Sequence, residues 1–139
     1  LGLLGDYESH FNDVTEEEYM EMIRQKTSLL LGYALKIGAI LGGADEEDAQ
    51  NLYTFGEKMG LAFQLQDDYL DVYGNTQEFQ KKLGGDIVVN KKTFMLINAC
   101  QLASPAQKAE IDQWIQAKTF DADEKIAAIT HIYNISRGW

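Results

Sequence analysis

The chain has 139 residues, 45% of them hydrophobic, enough for one compact domain and too many for a disordered chain. Twelve Lys and Arg stand against 22 Asp and Glu, a formal charge of −10, which argues against nucleic-acid binding and makes any local cluster of positive charge a feature to explain. A lone cysteine, Cys100, cannot form an internal disulfide; it sits in an apolar helical run as a small buried hydrophobe and fits a reducing cytoplasm.

Val14-Thr15-Glu16-Glu17-Glu18-Tyr19 is a helix start, with Thr15 as N-cap, Glu18 closing a capping box, and Val14 and Tyr19 as hydrophobic staple. The helix it opens is expected from Glu16 to about Leu41, where Gly42-Gly43 stops it. Its apolar stretch from Leu29 to Ala44 is broken by Lys36 and falls short of the roughly 20 residues of a membrane span, so no stable membrane insertion is expected. Asp45, with Asp48 three residues on, caps a second helix from Glu46 to Tyr73, ended by Gly74-Asn75. Asn90 is the expected N-cap of a helix from Lys91 to Leu102. Ser104-Pro105-Ala106-Gln107 starts another, and Asp121 or Asp123 caps a last one to about Ser136.

No segment sustains strand alternation, although Ile87-Val88-Val89 is briefly β-branched, and the fold class read from this pattern is all-α. The two long helices carry apolar residues on more than one face, as central helices of a large bundle do. Such helices need neighbours, so residues 1–139 are expected to be one domain drawn from a larger bundle.

The acidic residues of FQLQDDYLDVYGN stand inside an apolar helix. Asp67 and Asp71 lie four residues apart and face one way, with Asp68 at the edge of that face and Gln64 a turn earlier. Two carboxylates about 6 Å apart repel by roughly 3 kcal/mol at an effective dielectric near 20. A partly buried cluster of oxygen ligands suits Mg²⁺, which takes one or two carboxylates together with substrate phosphates; a solvated acidic helix face is the alternative. KKLGGDIVVNKK, residues 81–92, sets four lysines against Asp86 alone. Lys91 and Lys92 fall in the first turn of their expected helix, where the macrodipole disfavours cations, unless an anion such as phosphate binds at that helix end. Gly84-Gly85 would let the loop close over it. The alternative is a basic surface loop. Lys26, entering an apolar helix, either snorkels, pairs with an acid or joins the same anion site. His10 and His131 lie outside these features, and His131 is a helix-surface residue.

FQLQDDYLDVYGN followed by KKLGGDIVVNKKT resembles the second aspartate-rich motif and lysine loop of the trans-isoprenyl diphosphate synthases, the farnesyl and geranylgeranyl diphosphate synthase family. EEYMEMIRQKTSLLLGYALKIGAIL resembles that family's upstream helix, whose Lys-Thr pair lies in the active site. The resemblance runs from about Asn12 to Ala99. It implies the isoprenoid synthase helical bundle, Mg²⁺ as cofactor, and head-to-tail condensation of isopentenyl diphosphate with an allylic diphosphate in a cytoplasmic homodimer.

By the same resemblance Asp67 binds Mg²⁺, with Asp68 and Asp71 supporting the metal and its waters. Lys26 and Lys91 contact the allylic diphosphate, as does one of Lys81 and Lys82. Thr27 and Gln64 form a polar pair near the allylic cation, and Phe63 stands beside isopentenyl diphosphate. Two departures from the family pattern are visible: Gln80 stands where a glycine usually precedes the loop lysine, and no second DDxxD occurs. The chain is therefore expected to be the C-terminal portion of such a synthase, inactive alone. A non-catalytic synthase-like subunit and a terpene cyclase-like diphosphate-binding protein are the competing readings.

Overall fold

The computed structural model describes residues 14–74 and 83–136 and contains no strand among them, as the all-α expectation requires. The helices are α1 (Glu16–Ile23), a π-helical turn (Arg24–Ser28), α2 (Leu29–Leu41), α3 (Glu46–Tyr73), α4 (Gly85–Val88), α5 (Phe94–Leu102), α6 (Pro105–Gln116) and α7 (Ala122–Ser136). Several starts follow their caps. Asp45 Oδ1 accepts from the Asp48 N–H at 2.8 Å, and Asp121 Oδ1 from the Glu124 N–H at 2.9 Å. Ser104 and Gln107 form a full capping box before Pro105.

Two expectations are corrected. The helix after the basic loop begins at Phe94, not Lys91, because Thr93 is its N-cap: Thr93 is extended, and its Oγ1 accepts from the Leu96 N–H at 3.2 Å. Asn90 instead takes a left-handed conformation (φ 58°) just after α4, a conformation asparagine tolerates better than most residues. Lys91 and Lys92 therefore precede the helix and are not in its first turn, where the macrodipole would disfavour them. The β-branched triplet forms no strand, in keeping with the all-α reading; Ile87 and Val88 belong to α4.

The described residues form two compact units. One is Glu17–Asp67, comprising most of α1, the π turn, α2 and most of α3. Here α2 and α3 meet along small residues. A Cβ added to Gly56 would lie 2.9 Å from Gly32 Cα and from Leu31 O, and one added to Gly60 would lie 3.0 Å from Ser28 Cα, so only glycine lets the backbones come this close. Several apolar side chains of this unit are exposed, including Leu30, Tyr33, Ile37, Leu41 and Phe55.

The other unit takes in Glu16, the end of α3 and α4 to α7. Its core gathers Ile87 of α4, Met95, Leu96 and Ala99 of α5, Ile111 of α6, and Ile129, Ile132 and Tyr133 of α7. Each large aliphatic buried there contributes roughly 1.5–3 kcal/mol. Cys100 is half-buried against this core, and burial pushes its thiol up to about 11. His131 is exposed on α7, as expected. No helix among the described residues is long and apolar enough to cross a membrane.

Candidate functional site

In the first unit, the expected active-site residues sit on two facing turns. Arg24-Gln25-Lys26-Thr27-Ser28 is the π turn itself, in which the Leu29 N–H reaches back five residues to Arg24 O. A π turn of this kind widens the helix and leaves a carbonyl without its usual donor, which is why such turns gather at functional sites. Arg24 anchors it, with Nε donating to Glu57 Oε1 of α3 at 3.1 Å and Nη1 to Glu21 Oε1 at 3.0 Å. The pairing of Ser28 with Gly60 and of Gly32 with Gly56 runs antiparallel, so the π turn lies opposite the part of α3 that bears Phe63 and Gln64. Lys26 and Asp67 are exposed, Thr27 and Gln64 half-buried, and Phe63 is 66% exposed.

In the second unit, the end of α3 holds the basic loop. Asp68 is fully buried: its Oδ2 accepts from the Phe94 N–H, the first residue of α5, at 3.0 Å, and its Oδ1 lies 3.8 Å from Lys91 Nζ. A carboxylate thus already occupies the helix N-terminus where the sequence suggested phosphate, and the dipole favours it there. Asp71, also buried, accepts from the Asp86 N–H through Oδ2 at 3.0 Å, while its main-chain oxygen accepts from the Gly84 N–H at 2.7 Å. Gly84 has φ 87°, and a Cβ there would lie 2.7 Å from Ile126 Cδ1, so the glycine is needed twice over. The glycine pair closes the loop onto Asp71.

Lys91, partly exposed, completes the arrangement, with Nζ 3.8 Å from both Asp68 Oδ1 and Asp86 Oδ2. At that separation the ion pairs orient the ammonium and leave its donors able to reach an incoming anion. Lys81 and Lys82 lie outside the described residues. Among the described residues no group of three or more His, Cys, Asp and Glu forms a metal cage. An exposed carboxylate such as Asp67 has the chemistry to bind Mg²⁺ that takes its other ligands from phosphates and water.

The model of the polyprenyl synthetase family matches residues 2–133. The chain belongs to the polyprenyl synthetase family. The chain is 37% identical over 131 residues to a short chain isoprenyl diphosphate synthase of Methanothermobacter thermautotrophicus, covering 89% of the chain and 40% of that protein. It is 44% identical over 94 residues to a geranylgeranyl diphosphate synthase of Methanosarcina mazei, covering 68% of the chain and 29% of that protein. Among solved structures it is similar to a geranylgeranyl pyrophosphate synthase, with TM-score 0.81 and 36% identity over 95% of the chain and 42% of that structure. It is likewise similar to a polyprenyl synthetase from Streptomyces coelicolor A3(2), with TM-score 0.81 and 32% identity over 94% of the chain and 40% of that structure. The chain spans less than half the length of these relatives.

Sequence reasoning missed three residues. Asp86 stands beside Lys91, Asn90 is a hydrogen-bonding hub rather than a helix cap, and Lys125 is buried on α7. Lys125 was signalled, since it falls in step with Ile129, Ile132 and Tyr133 at i+4, i+7 and i+8 on the buried face.

Proposed function

We propose that this chain supplies the diphosphate-binding part of a Mg²⁺-dependent prenyltransferase that condenses isopentenyl diphosphate head to tail with an allylic diphosphate. The observation that carries it is Lys91, held at 3.8 Å between two carboxylates in a loop tied to the aspartate motif, in a chain whose relatives are named isoprenyl and geranylgeranyl diphosphate synthases. Lys91 and Lys26, with Lys81 or Lys82, bind and orient the allylic diphosphate. Asp67 presents an exposed carboxylate to Mg²⁺. Asp71 and Asp68 act mainly by fixing the loop that brings Lys91 to the site. Bound Mg²⁺ supplies positive charge that stabilises the departing diphosphate.

The reaction breaks the bond between the allylic carbon and its diphosphate oxygen, joins that carbon to the double bond of isopentenyl diphosphate, and ends with loss of a proton. Thr27 and Gln64 offer dipoles to the cationic carbon. Phe63 covers the second substrate and excludes water, which would otherwise capture the cation. The exposed apolar residues of α2 and α3 support packing against further helices or a second copy, and the working protein is a cytoplasmic homodimer; the 139-residue chain alone does not turn over. Prenyl transfer by the natural full-length protein, assayed with isopentenyl diphosphate and an allylic primer, tests the reading. Undiminished turnover after Asp67→Ala combined with Asp71→Ala would refute it.

A further inference from the structure

Lys125 is only 1% exposed, and among the described residues no carboxylate pairs with it. Its Nζ donates to Asn90 Oδ1 at 2.5 Å and to Val88 O at 3.3 Å, and stands 4.3 Å from the centroid of the Phe120 ring. Burial draws its pKa down. A methionine would fill the same space without desolvating a charge. What only the ammonium does is donate to two acceptors of one loop at once.

That loop carries Lys91. Asn90 is in the left-handed region, and both ends of its amide are held: Oδ1 by Lys125 of α7, and Nδ2 by donation to Ile115 O of α6 at 3.2 Å. The turn it makes returns the Lys91 N–H to Asp86 O at 2.9 Å and leaves Lys91 Nζ between the Asp68 and Asp86 carboxylates. Without Lys125 the half-buried amide of Asn90 loses the donor to its oxygen and the turn loses its tie to α7.

We propose that Lys125 is a positioning residue: through Asn90 it fixes the turn that aims Lys91, and so sets the site's affinity for a diphosphate that it does not touch. This rests on Lys91 contacting the diphosphate. A purely structural Lys125 and a positioning Lys125 predict different things for Lys125→Met. A structural role moves stability alone: Lys125→Met takes a donor from Asn90 Oδ1 and Val88 O, which costs stability, and relieves a desolvated charge, which offsets that cost. A positioning role weakens ligand binding while the fold stays intact.

The test is calorimetry of inorganic diphosphate binding, with Mg²⁺ present, on the natural full-length protein and its Lys125→Met, Lys91→Ala and doubly substituted variants. Lys125→Met is expected to weaken binding about tenfold, as loss of a supporting partner commonly does, with a cooperative unfolding transition retained. Adding Lys125→Met to Lys91→Ala should change affinity no further, because the one acts through the other. Asn90→Gly, which keeps the left-handed turn and removes the tie, should reproduce the loss and serves if Lys125→Met does not fold. Wild-type affinity in both Lys125→Met and Asn90→Gly, or additive losses in the double variant, would overturn the inference alone. Wild-type affinity in Lys91→Ala would overturn the diphosphate contact itself and the inference with it.

Discussion

Replacing Gly56 with alanine tests how the seam between α2 and α3 is built, and Gly38 supplies the control. Both glycines are helical, so each substitution gains about 0.5–1 kcal/mol of helix propensity. A Cβ at Gly38 meets nothing within 4 Å, and Gly38→Ala should keep that gain. At Gly56 the added carbon would lie 2.9 Å from Gly32 Cα, Leu31 O and Leu35 Cδ1, two of them backbone atoms that cannot swing aside. The helices must part by about 0.5 Å to restore ordinary contact. Overpacking of this kind costs typically 1–3 kcal/mol, which outweighs the propensity gain and leaves a net loss of up to about 2.5 kcal/mol and a midpoint lower by up to roughly 10 °C. Thermal unfolding followed by circular dichroism should move in opposite directions for the two variants. The shift would also displace the Gln64 turn from the Thr27 turn, so turnover of the full-length protein should fall about tenfold in Gly56→Ala. A midpoint that rises in Gly56→Ala as it does in Gly38→Ala would refute the close seam.

Asp68→Ala strips the Phe94 N–H of its acceptor and Lys91 of one countercharge; loss of a bond to a charged group predicts about 1.5–3 kcal/mol in chemical denaturation, and Asp68→Asn, which keeps an acceptor, should cost less. Cys100 should resist thiol reagents in the native state: burial raises its thiol from 9.0 to about 11, which lowers the thiolate fraction at pH 8 about 100-fold, and reaction at the rate of a free thiol would contradict that burial. The same shift carries a sign. Its contribution to stability is complete below pH 9.0 and is lost as pH rises toward about 11, so Cys100→Ala should flatten the alkaline decline of the unfolding midpoint.

Helix starts were legible where one side chain decides them. Asp45, Ser104 and Asp121 each cap within three residues, and the order of helices followed from hydrophobic period and caps. Asn90 misled because its type suits both an N-cap and a left-handed turn, and the choice was made by Lys125 and Ile115, distant in sequence. The π turn over Arg24–Ser28 leaves no mark in a pattern read at one helical period. In the candidate site the residue types were legible while their division of labour was not. Asp67, Asp68 and Asp71 read alike in sequence, yet Asp67 is exposed while the other two face the loop and hold it by backbone N–H groups.

The most direct measurement is product analysis of the natural full-length protein incubated with Mg²⁺, isopentenyl diphosphate and an allylic diphosphate. A linear prenyl diphosphate at least one isoprene unit longer than the primer is the predicted product, and it should disappear when Mg²⁺ is chelated. Cyclic hydrocarbons, or no elongated product while both substrates bind, would contradict the account.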